Sequence, residues 1–530
     1  LGRVSRVPPA AAVFVLSFIV YAFCAYPAIA PRDSADLALA AVRLSVAHPP
    51  GYPLYALLGR LWLFLLPLGD AAWRLNILSA LAGALAAALL TRACESRGRA
   101  AAWGAGLCFA FCAPLWKFSL LEEMYSLQAA FLAGLLLLSE GERESFVRRA
   151  ALSGLLFGLG CVNHQTLVLS APAWLWLWRM EARRHGVSLS SALRAALPLS
   201  AAGLLLDLWV PWRLGDWRLG WAVLTRAEYG PLTLSGTLAR PFVSAAPGLL
   251  SHFAAGTAAA TTPLLLAAAA AAARARGSRG RGGAVILGLA ASLAFALLSR
   301  LDVSSWVSRT VLETAFLMPA FWLCVAAAEG LSALSEVRPG AAAAFAAVLA
   351  LLTFAGHARD SVHRDDFSAA DYADNLRRTL PPGSAAVVRG DTALFSLKLT
   401  APDRAVVSEL EPDWIARLAA AAGKGRPLYA VGLPADAVLA AFPKACPAGL
   451  ALSLDGRCAD LWPLYAIRMG EALSRRESYA RDPALSYAFA HATAEKLAKR
   501  DEQASYHALW AAAWDPDDFG LRMLSTGERR

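Results

Sequence analysis

The sequence predicts a polytopic α-helical membrane protein of about eleven spans, with an α/β plus helical domain at its C-terminal end outside the membrane. Three observations lead there. Of 530 residues, 57% are hydrophobic and only 17% charged, and the mean hydropathy is +0.46; soluble domains carry about 25% charged and about 45–50% apolar residues. Apolar runs approaching the ~20 residues of a membrane span recur between short polar loops. After about residue 358 the pattern changes to short apolar strands alternating with helical stretches.

The runs lie near 9–31, 71–93, 100–116, 119–138, 150–163, 164–179, 194–212, 245–272, 283–300, 308–329 and 340–357. Arginine sets their direction. "RACESRGR" (92–99), "EGERESFVRR" (140–149), "RMEARRHGVS" (179–188) and "RARGSRGRGG" (274–283) fall on one side with Arg3 and Arg6, and basic loops stay in the cytoplasm. The outer side then receives residues 32–70, 213–244, the loop around Asp302 and everything after about 358. The expected organisation is a transmembrane module over 1–357, an α/β domain over 358–460 and a helical tail over 461–530. Arg-, Ala- and Gly-rich usage is that of a GC-rich bacterium. The expected location is therefore the bacterial inner (cytoplasmic) membrane, with the N-terminus cytoplasmic and the C-terminal domain periplasmic. Ala28-Ile29-Ala30 imitates a signal-peptidase site. The preceding run is longer than the ~7–15 residues of a signal sequence, and Pro31 follows the would-be cut, so an uncleaved first span is expected.

The net charge of +10 does not point to nucleic acid, because no basic stripe is interleaved with aromatics. Eight cysteines include no CxxC pair. Six lie in or beside apolar runs and read as small buried hydrophobes, and no metal site is expected. Cys446 and Cys458 lie in the polar C-terminal region and form a disulfide if that region is extracytoplasmic. There "SAAVVRG", "RAVVSEL", "RPLYAVGL" and "GLALSLDG" read as strands, and "DYADNLRRTL" and "PDWIARLAAAAG" as helices. "ASYHALWAAAWDPDDFG" is similar to a single tetratricopeptide-like helix pair.

Candidate functional residues collect in the outer segments. In "DSADLALAAVRLSVAHPPGYPLY" (33–55), apolar residues at 37, 39, 41, 42, 44 and 46 describe a short helix along the interface. Asp33 and Asp36 stand one turn apart at its start. They either cap free N–H groups or hold a carboxylate where it takes a proton from an acceptor hydroxyl. His48 either suits the helix C-terminus or binds a phosphate or substrate. Pro49 and Pro50 end the helix, Gly51 permits the turn, and Tyr52 follows it. "SLLEEMYSL" offers Glu123 and Tyr125 as site-lining groups. "GLGCVNHQTLVL" carries Asn163 and His164 between apolar halves, where polar groups either bond neighbouring helices or serve a site. "WVPWRLGDWRLGWAVLTRAEYG" places Arg213, Arg226 and Tyr229 on the outer side against the usual charge bias. They either anchor at the head-group region or pair with a lipid phosphate.

These stretches carry a resemblance. "DSADLALAAVRLSVAHPPGYPLY" followed by "RLNILSALAGALAAALL", then in order "EEMYSL", "GLGCVNHQTLVL", "WVPWRLGDW…LTRAEYG", "ETAFLMPAFW" and "DYADNLRRTLPPGSAAVVRGDTALF", resembles a bacterial membrane family of the C-type glycosyltransferase (GT-C) superfamily. That family includes transmembrane protein 260-type protein O-mannosyltransferases, and the resemblance spans roughly residues 10–400. It implies a GT-C-like glycosyltransferase fold and a polyprenyl-phosphate sugar donor, carrying mannose or a similar hexose. The acceptor would be a hydroxyl of a secreted or periplasmic protein Ser/Thr or of a glycan, attacked with inversion. Asp33 matches the family's base, and Asp36, where relatives commonly carry Glu, would assist. "GDTALF" lacks the fuller acidic and aromatic pattern, leaving Asp391 a weak match. Arg213, Arg226 and His48 would neutralise the leaving phosphate. A monophosphate donor needs no metal by this logic, so no cofactor is expected. A lipid-linked-sugar transporter or flippase would place ionisable residues near mid-membrane, whereas the polar residues here gather at the outer ends. A non-catalytic anchor for a periplasmic interaction domain is the other alternative.

Overall fold

The computed structural model describes residues 8–227, 241–261, 279–468, 481–497 and 507. The chain divides into two compact units: Leu1–Tyr26 with Ala40–Arg364, and Pro27–Leu39 with Asp365–Arg530.

The first unit is helical. Its elements begin with α1 (Pro9–Cys24), α2 (Ser34–Arg43, within which the division falls), α3 (Pro53–Leu65), α4 (Ala71–Cys94), α5 (Arg99–Phe111), α6 (Ala113–Phe118) and α7 (Tyr125–Leu138). They continue with α8 (Phe146–Asn163), α9 (Ala171–Arg184), α10 (Leu189–Leu204), α11 (Trp209–Leu214), α12 (Trp217–Leu224) and α13 (Phe242–Ala260). The unit closes with α14 (Arg279–Leu298), α15 (Trp306–Leu312), α16 (Leu317–Val337) and α17 (Pro339–Ala358).

Helix α4 is central, packed by α1, α5 and α7, with Leu75, Ala80, Ala84, Ala87 and Leu90 fully buried. Its small residues let neighbouring backbones come close, which is how helices associate where water supplies no hydrophobic drive. The same logic is sharper between α8 and α10. A Cβ on Gly154 would lie 2.1 Å from the Ala196 carbonyl oxygen, and one on Gly158 would lie 2.2 Å from that of Ser200. Ser200 Oγ donates to the Gly154 carbonyl at 2.8 Å across this contact.

Among the described residues six helices are long and apolar enough to cross a membrane: Ala71–Arg97, Arg143–Asn163, Leu189–Leu214, Arg281–Leu298, Trp306–Val337 and Pro339–Ser361. Pro9–Cys24, Pro53–Leu65 and Tyr125–Leu138 are apolar but shorter. Of the roughly eleven spans expected, six are full-length helices among the described residues, and local features account for part of the difference. Pro114 lies in the first turn of α6, so the run near 100–116 breaks between α5 and α6; proline cannot donate to a continuing ladder. The run at 164–179 opens on extended backbone at His164 and a 3₁₀ turn over Gln165–Ser170, and α9 then starts with proline in its first turn. The run at 245–272 is helical to Ala260, and 262–278 lies outside the described residues.

Side chains from the four arginine-rich loops meet at one end of this unit. Arg281, only 2% exposed, holds Glu140 at 2.5 Å and Glu329 at 3.4 Å. Arg97 reaches Glu329 at 2.9 Å and Glu140 at 3.3 Å. Arg149 pairs with Glu181 at 2.7 Å, and His185 lies 3.1 Å from the same carboxylate.

The second unit holds a five-stranded sheet in the order β2-β1-β3-β5-β4, from β1 (Ala385–Val388), β2 (Ala405–Ser408), β3 (Leu428–Val431), β4 (Cys446–Ala448) and β5 (Ala451–Ser453). β1 is parallel to β2 and β3, while β5 is antiparallel to both β3 and β4. Helix α18 (Ser368–Thr379) precedes the sheet, α19 (Asp391–Thr400), α20 (Trp414–Gly423) and α21 (Ala435–Ala441) connect β1 to β4, and α22 (Arg481–Leu497) follows. Side chains alternate along β1: Ala386 and Val388 enter one core with Leu376 and Leu397, and Ala385 and Val387 enter another with Leu418 and Val438. A sheet covered on both faces reads as the continuous apolar runs seen in the sequence.

All four predicted strands are present. The fifth, β4, begins at Cys446, which is disulfide-bonded to Cys458 beyond β5 with Cα atoms 5.3 Å apart. The tail expected as a separate domain over 461–530 differs in its described part. Tyr487 and Ala490 of α22 belong to the sheet's own core, and Asn375 Nδ2 of α18 donates to the Tyr487 hydroxyl at 2.7 Å. Residues 498–506 and 508–530, which carry the tetratricopeptide-like stretch apart from His507, lie outside the described residues.

Candidate functional site

The proline corner builds the site of the helical unit. α2 ends at Arg43, and the chain turns through His48 and a cis Pro49–Pro50 bond. The Gly51 N–H closes the turn on the His48 carbonyl at 2.8 Å. Gly51 has φ +98°, and a Cβ there would lie 3.0 Å from Val46 Cγ1 and 3.1 Å from Val210 Cγ2. The positive φ favours glycine, and a side chain there would press on both valines. Arg213 Nε donates to the Leu44 carbonyl at 2.6 Å, so α11 pins this corner from outside.

Four nominated side chains then form one aromatic row. His48 meets Tyr52 edge-on with centroids 5.0 Å apart. Tyr52 stacks on His164 at 5.9 Å, and His164 contacts Tyr125 at 5.1 Å. His164 lies just beyond α8, where extended backbone turns its ring out of the helix. The Thr166 N–H donates to its Nδ1, and the Arg226 guanidinium and His48 lie near the ring.

Other nominated residues do different work. Asn163 is fully buried and donates from Nδ2 to the Met124 carbonyl at 3.0 Å, which ties the "EEMY" segment to the end of α8. Glu123 lines a separate, mainly apolar cavity of about 130 Å³ with Tyr55, Ser79, Trp62 and Leu61. Tyr229 lies outside the described residues. Among the described residues no three His, Cys, Asp or Glu side chains gather as a metal site.

The second unit contains the two aspartates. Asp33 directly precedes α2, and its carbonyl accepts from the Leu37 N–H at 3.0 Å, the cap position that one reading gave it. Its side chain is exposed and lines a cavity of about 530 Å³ with Arg32, Arg389, Asp391, Thr392 and Phe489. Asp36, one turn on, is only 3% exposed and is not part of that wall. Arg32, Arg389 and Thr392 were not foreseen. The strand–Arg–Gly–Asp–Thr sequence after β1 is the signal that could have found them, because loops after parallel strands line ligand sites.

Fold and site define a class: a multispanning membrane protein with a second, α/β unit whose wall carries an exposed carboxylate at the start of an interfacial-type helix. Over 87% of this chain and 100% of the other, the fold matches that of ArnT from Cupriavidus metallidurans bound to undecaprenyl phosphate, with a TM-score of 0.52 and 15% identity. More particularly, residues 33–186 match the family model of the protein O-mannosyl-transferase TMEM260 N-terminal domain. Protein O-mannosyl-transferase TMEM260 of Mus musculus is 34% identical over 256 residues, 44% of this chain and 35% of that protein. The Dictyostelium discoideum protein O-mannosyl-transferase tmem260 is 28% identical over 190 residues, 32% of this chain and 23% of that protein. The chain thus spans about a third or less of the curated relatives it matches. The resemblance to TMEM260-type protein O-mannosyltransferases is borne out over residues 33–186 by the family model, and the fold is shared with ArnT.

Proposed function

We propose that the chain is a membrane glycosyltransferase. It moves a hexose, mannose or a similar sugar, from a polyprenyl-phosphate donor to a Ser/Thr hydroxyl of a protein or to a glycan hydroxyl on the extracytoplasmic side. The observation that carries this reading is Asp33, the first residue of the family match, exposed in the wall of a cavity large enough for a sugar. The fold shared with a protein bound to undecaprenyl phosphate supports the donor class.

In this reading an Asp33 carboxylate oxygen takes the acceptor hydroxyl's proton as the hydroxyl oxygen bonds to the anomeric carbon. The bond from that carbon to the phosphate oxygen breaks on the opposite face, inverting the centre. The lipid monophosphate leaves with an added negative charge, and the proton passes from Asp33 to water. Arg213, Arg226 and His48 are assigned to the phosphate, because fixed cations lower the cost of charge that develops during reaction. His164 and Tyr52 fix the His48 ring. No step calls on a metal.

The test uses the full chain in nanodiscs with labelled polyprenyl-phosphate mannose and a Ser/Thr-containing acceptor protein. Loss of a general base costs roughly 10²–10⁴-fold, so Asp33→Asn is expected to remove transfer while the melting temperature holds. Transfer at the wild-type rate by that variant sinks the assignment.

A further inference from the structure

In the second unit β1 lies between its two parallel neighbours, β2 on one side and β3 on the other. The chain therefore leaves β1 in one direction across the sheet and later returns to add a strand in the other. In open α/β sheets ligands settle beyond the carboxyl ends of strands at such a reversal. Here the residues following β1 (Arg389 to Ala393) and those at the end of β3 (Val431 and Gly432) line the 530 Å³ cavity. That volume lies within the range of about 300–1,000 Å³ typical of small-ligand sites.

The lining identifies the ligand chemistry. Asp33 and Asp391 supply carboxylate acceptors, Arg32 and Arg389 guanidinium donors, and Thr392 and Ser486 hydroxyls, beside the ring of Phe489 and the side chain of Leu450. Arg389 also holds Glu409 at 2.5 Å, which fixes its fork at the rim. A polyprenyl tail needs an apolar tube, and a bare phosphate would meet two carboxylates. A ring with hydroxyls on its edge and C–H groups on its face fits both halves of this surface: hydroxyls pair with carboxylate and guanidinium, and the C–H face covers the aromatic ring.

We propose that this cavity is a saccharide-recognition site taking one hexose unit, with Asp391, Thr392 and Phe489 as its selecting residues. The proposal deepens the transferase reading and rests on it for the role of Asp33. The hexose has two sources, the sugar on the lipid donor or a sugar on a glycan acceptor.

Two probes separate them: labelled polyprenyl-phosphate mannose and soluble α-mannobiose, each titrated onto the full chain in nanodiscs with no second substrate present. Asp391→Asn and Phe489→Ala are expected to weaken binding of one probe at least ten-fold. Loss for the lipid probe alone marks the donor sugar, and loss for mannobiose alone marks the acceptor. Asp436→Asn, a substitution of a 76% exposed carboxylate paired with Lys496 and not part of this wall, should bind as wild type. A diazirine mannoside should also label wild-type residues 389–393, a readout independent of whether the variants fold. Wild-type binding of both probes by folded variants, or labelling of wild type that misses 389–393, overturns the proposal. If binding follows this pattern but the wild type never transfers sugar, the transferase reading fails and the saccharide site stands.

Discussion

Asp33 and Asp36 share one helical turn, yet one borders a cavity and the other is nearly sealed. Sequence spacing placed them on a common face; the packing that separates them comes from distant chain and leaves no local mark. The proline corner was the reverse case. Its turn was legible because His-Pro-Pro-Gly admits few backbone paths, whereas the row His48–Tyr52–His164–Tyr125 was not, since its members are scattered over three motifs. Gly51→Ala is expected to destabilise by about 1–2 kcal/mol, the cost of a left-handed L-residue, with further strain from Val46 and Val210. Thermal melting of the purified chain reads this as a drop of a few degrees, and an unchanged melting curve would count against the geometry. A second residue-scale effect concerns His491, which stacks on Trp462 with centroids 3.6 Å apart and lies 2.9 Å from His507, Nδ1 to Nδ1. Burial and then His507 push it down to about 3; burial also lowers His507, with Asp460 partly opposing. The unfolded chain then binds the extra proton first. Stability is full above about pH 6.5 and falls as pH drops from there toward 3. His491→Gln should flatten that slope between pH 7 and 5 in a melting series.

At the scale of elements, the helix pair α8–α10 depends on bare backbone at Gly154 and Gly158. Gly154→Val forces the helices apart or the carbonyl of Ala196 to move. Overpacking of this kind costs about 1–3 kcal/mol, and the variant is expected to melt earlier than Gly340→Val, where a Cβ meets nothing within 4 Å. Equal melting of the two would show that the helices are not this close. The four strands were readable because they are short apolar runs punctuated by Gly and Pro. Strand β4 was not, because Cys446-Pro447-Ala448 carries neither length nor β-branched residues. Breaks within apolar runs were hidden for a related reason: hydropathy counts apolar residues but does not register that Pro114 and His164 interrupt the backbone ladder. Helix α22 was read as part of a separate tail because the sheet face that receives Tyr487 is assembled from chain about a hundred residues earlier.

For the whole molecule, the sharpest sequence inference was that the arginine-rich loops share a side, and the Arg97–Glu140–Arg281–Glu329 network together with the Arg149–Glu181–His185 cluster joins them at one end. Parity along the chain made this readable, since each pair of crossings returns the chain to the same surface. With the orientation proposed from that charge bias, a cysteine placed at Ser188 should react with an impermeant maleimide only after the inner face is opened. Labelling from the outside of intact cells would invert the topology and remove the extracytoplasmic chemistry with it. Arg281→Ala leaves Glu140 and Glu329 without their most buried cation. Breaking such a pair costs about 3–5 kcal/mol, and the full chain should lose much of its thermal stability. Arg281→Ala combined with Glu140→Gln and Glu329→Gln should recover part of it.

The second unit draws Pro27–Leu39 from near one end of the sequence and Asp365–Arg530 from the other. A ribosome adding about 5–20 residues per second finishes the first piece tens of seconds before the last. During biosynthesis, Arg32 and Asp33 are therefore made well before the strands that complete their cavity. A recombinant fragment beginning near residue 358 would carry the whole sheet yet lack one wall of its pocket, and its affinity for sugar would understate that of the intact chain.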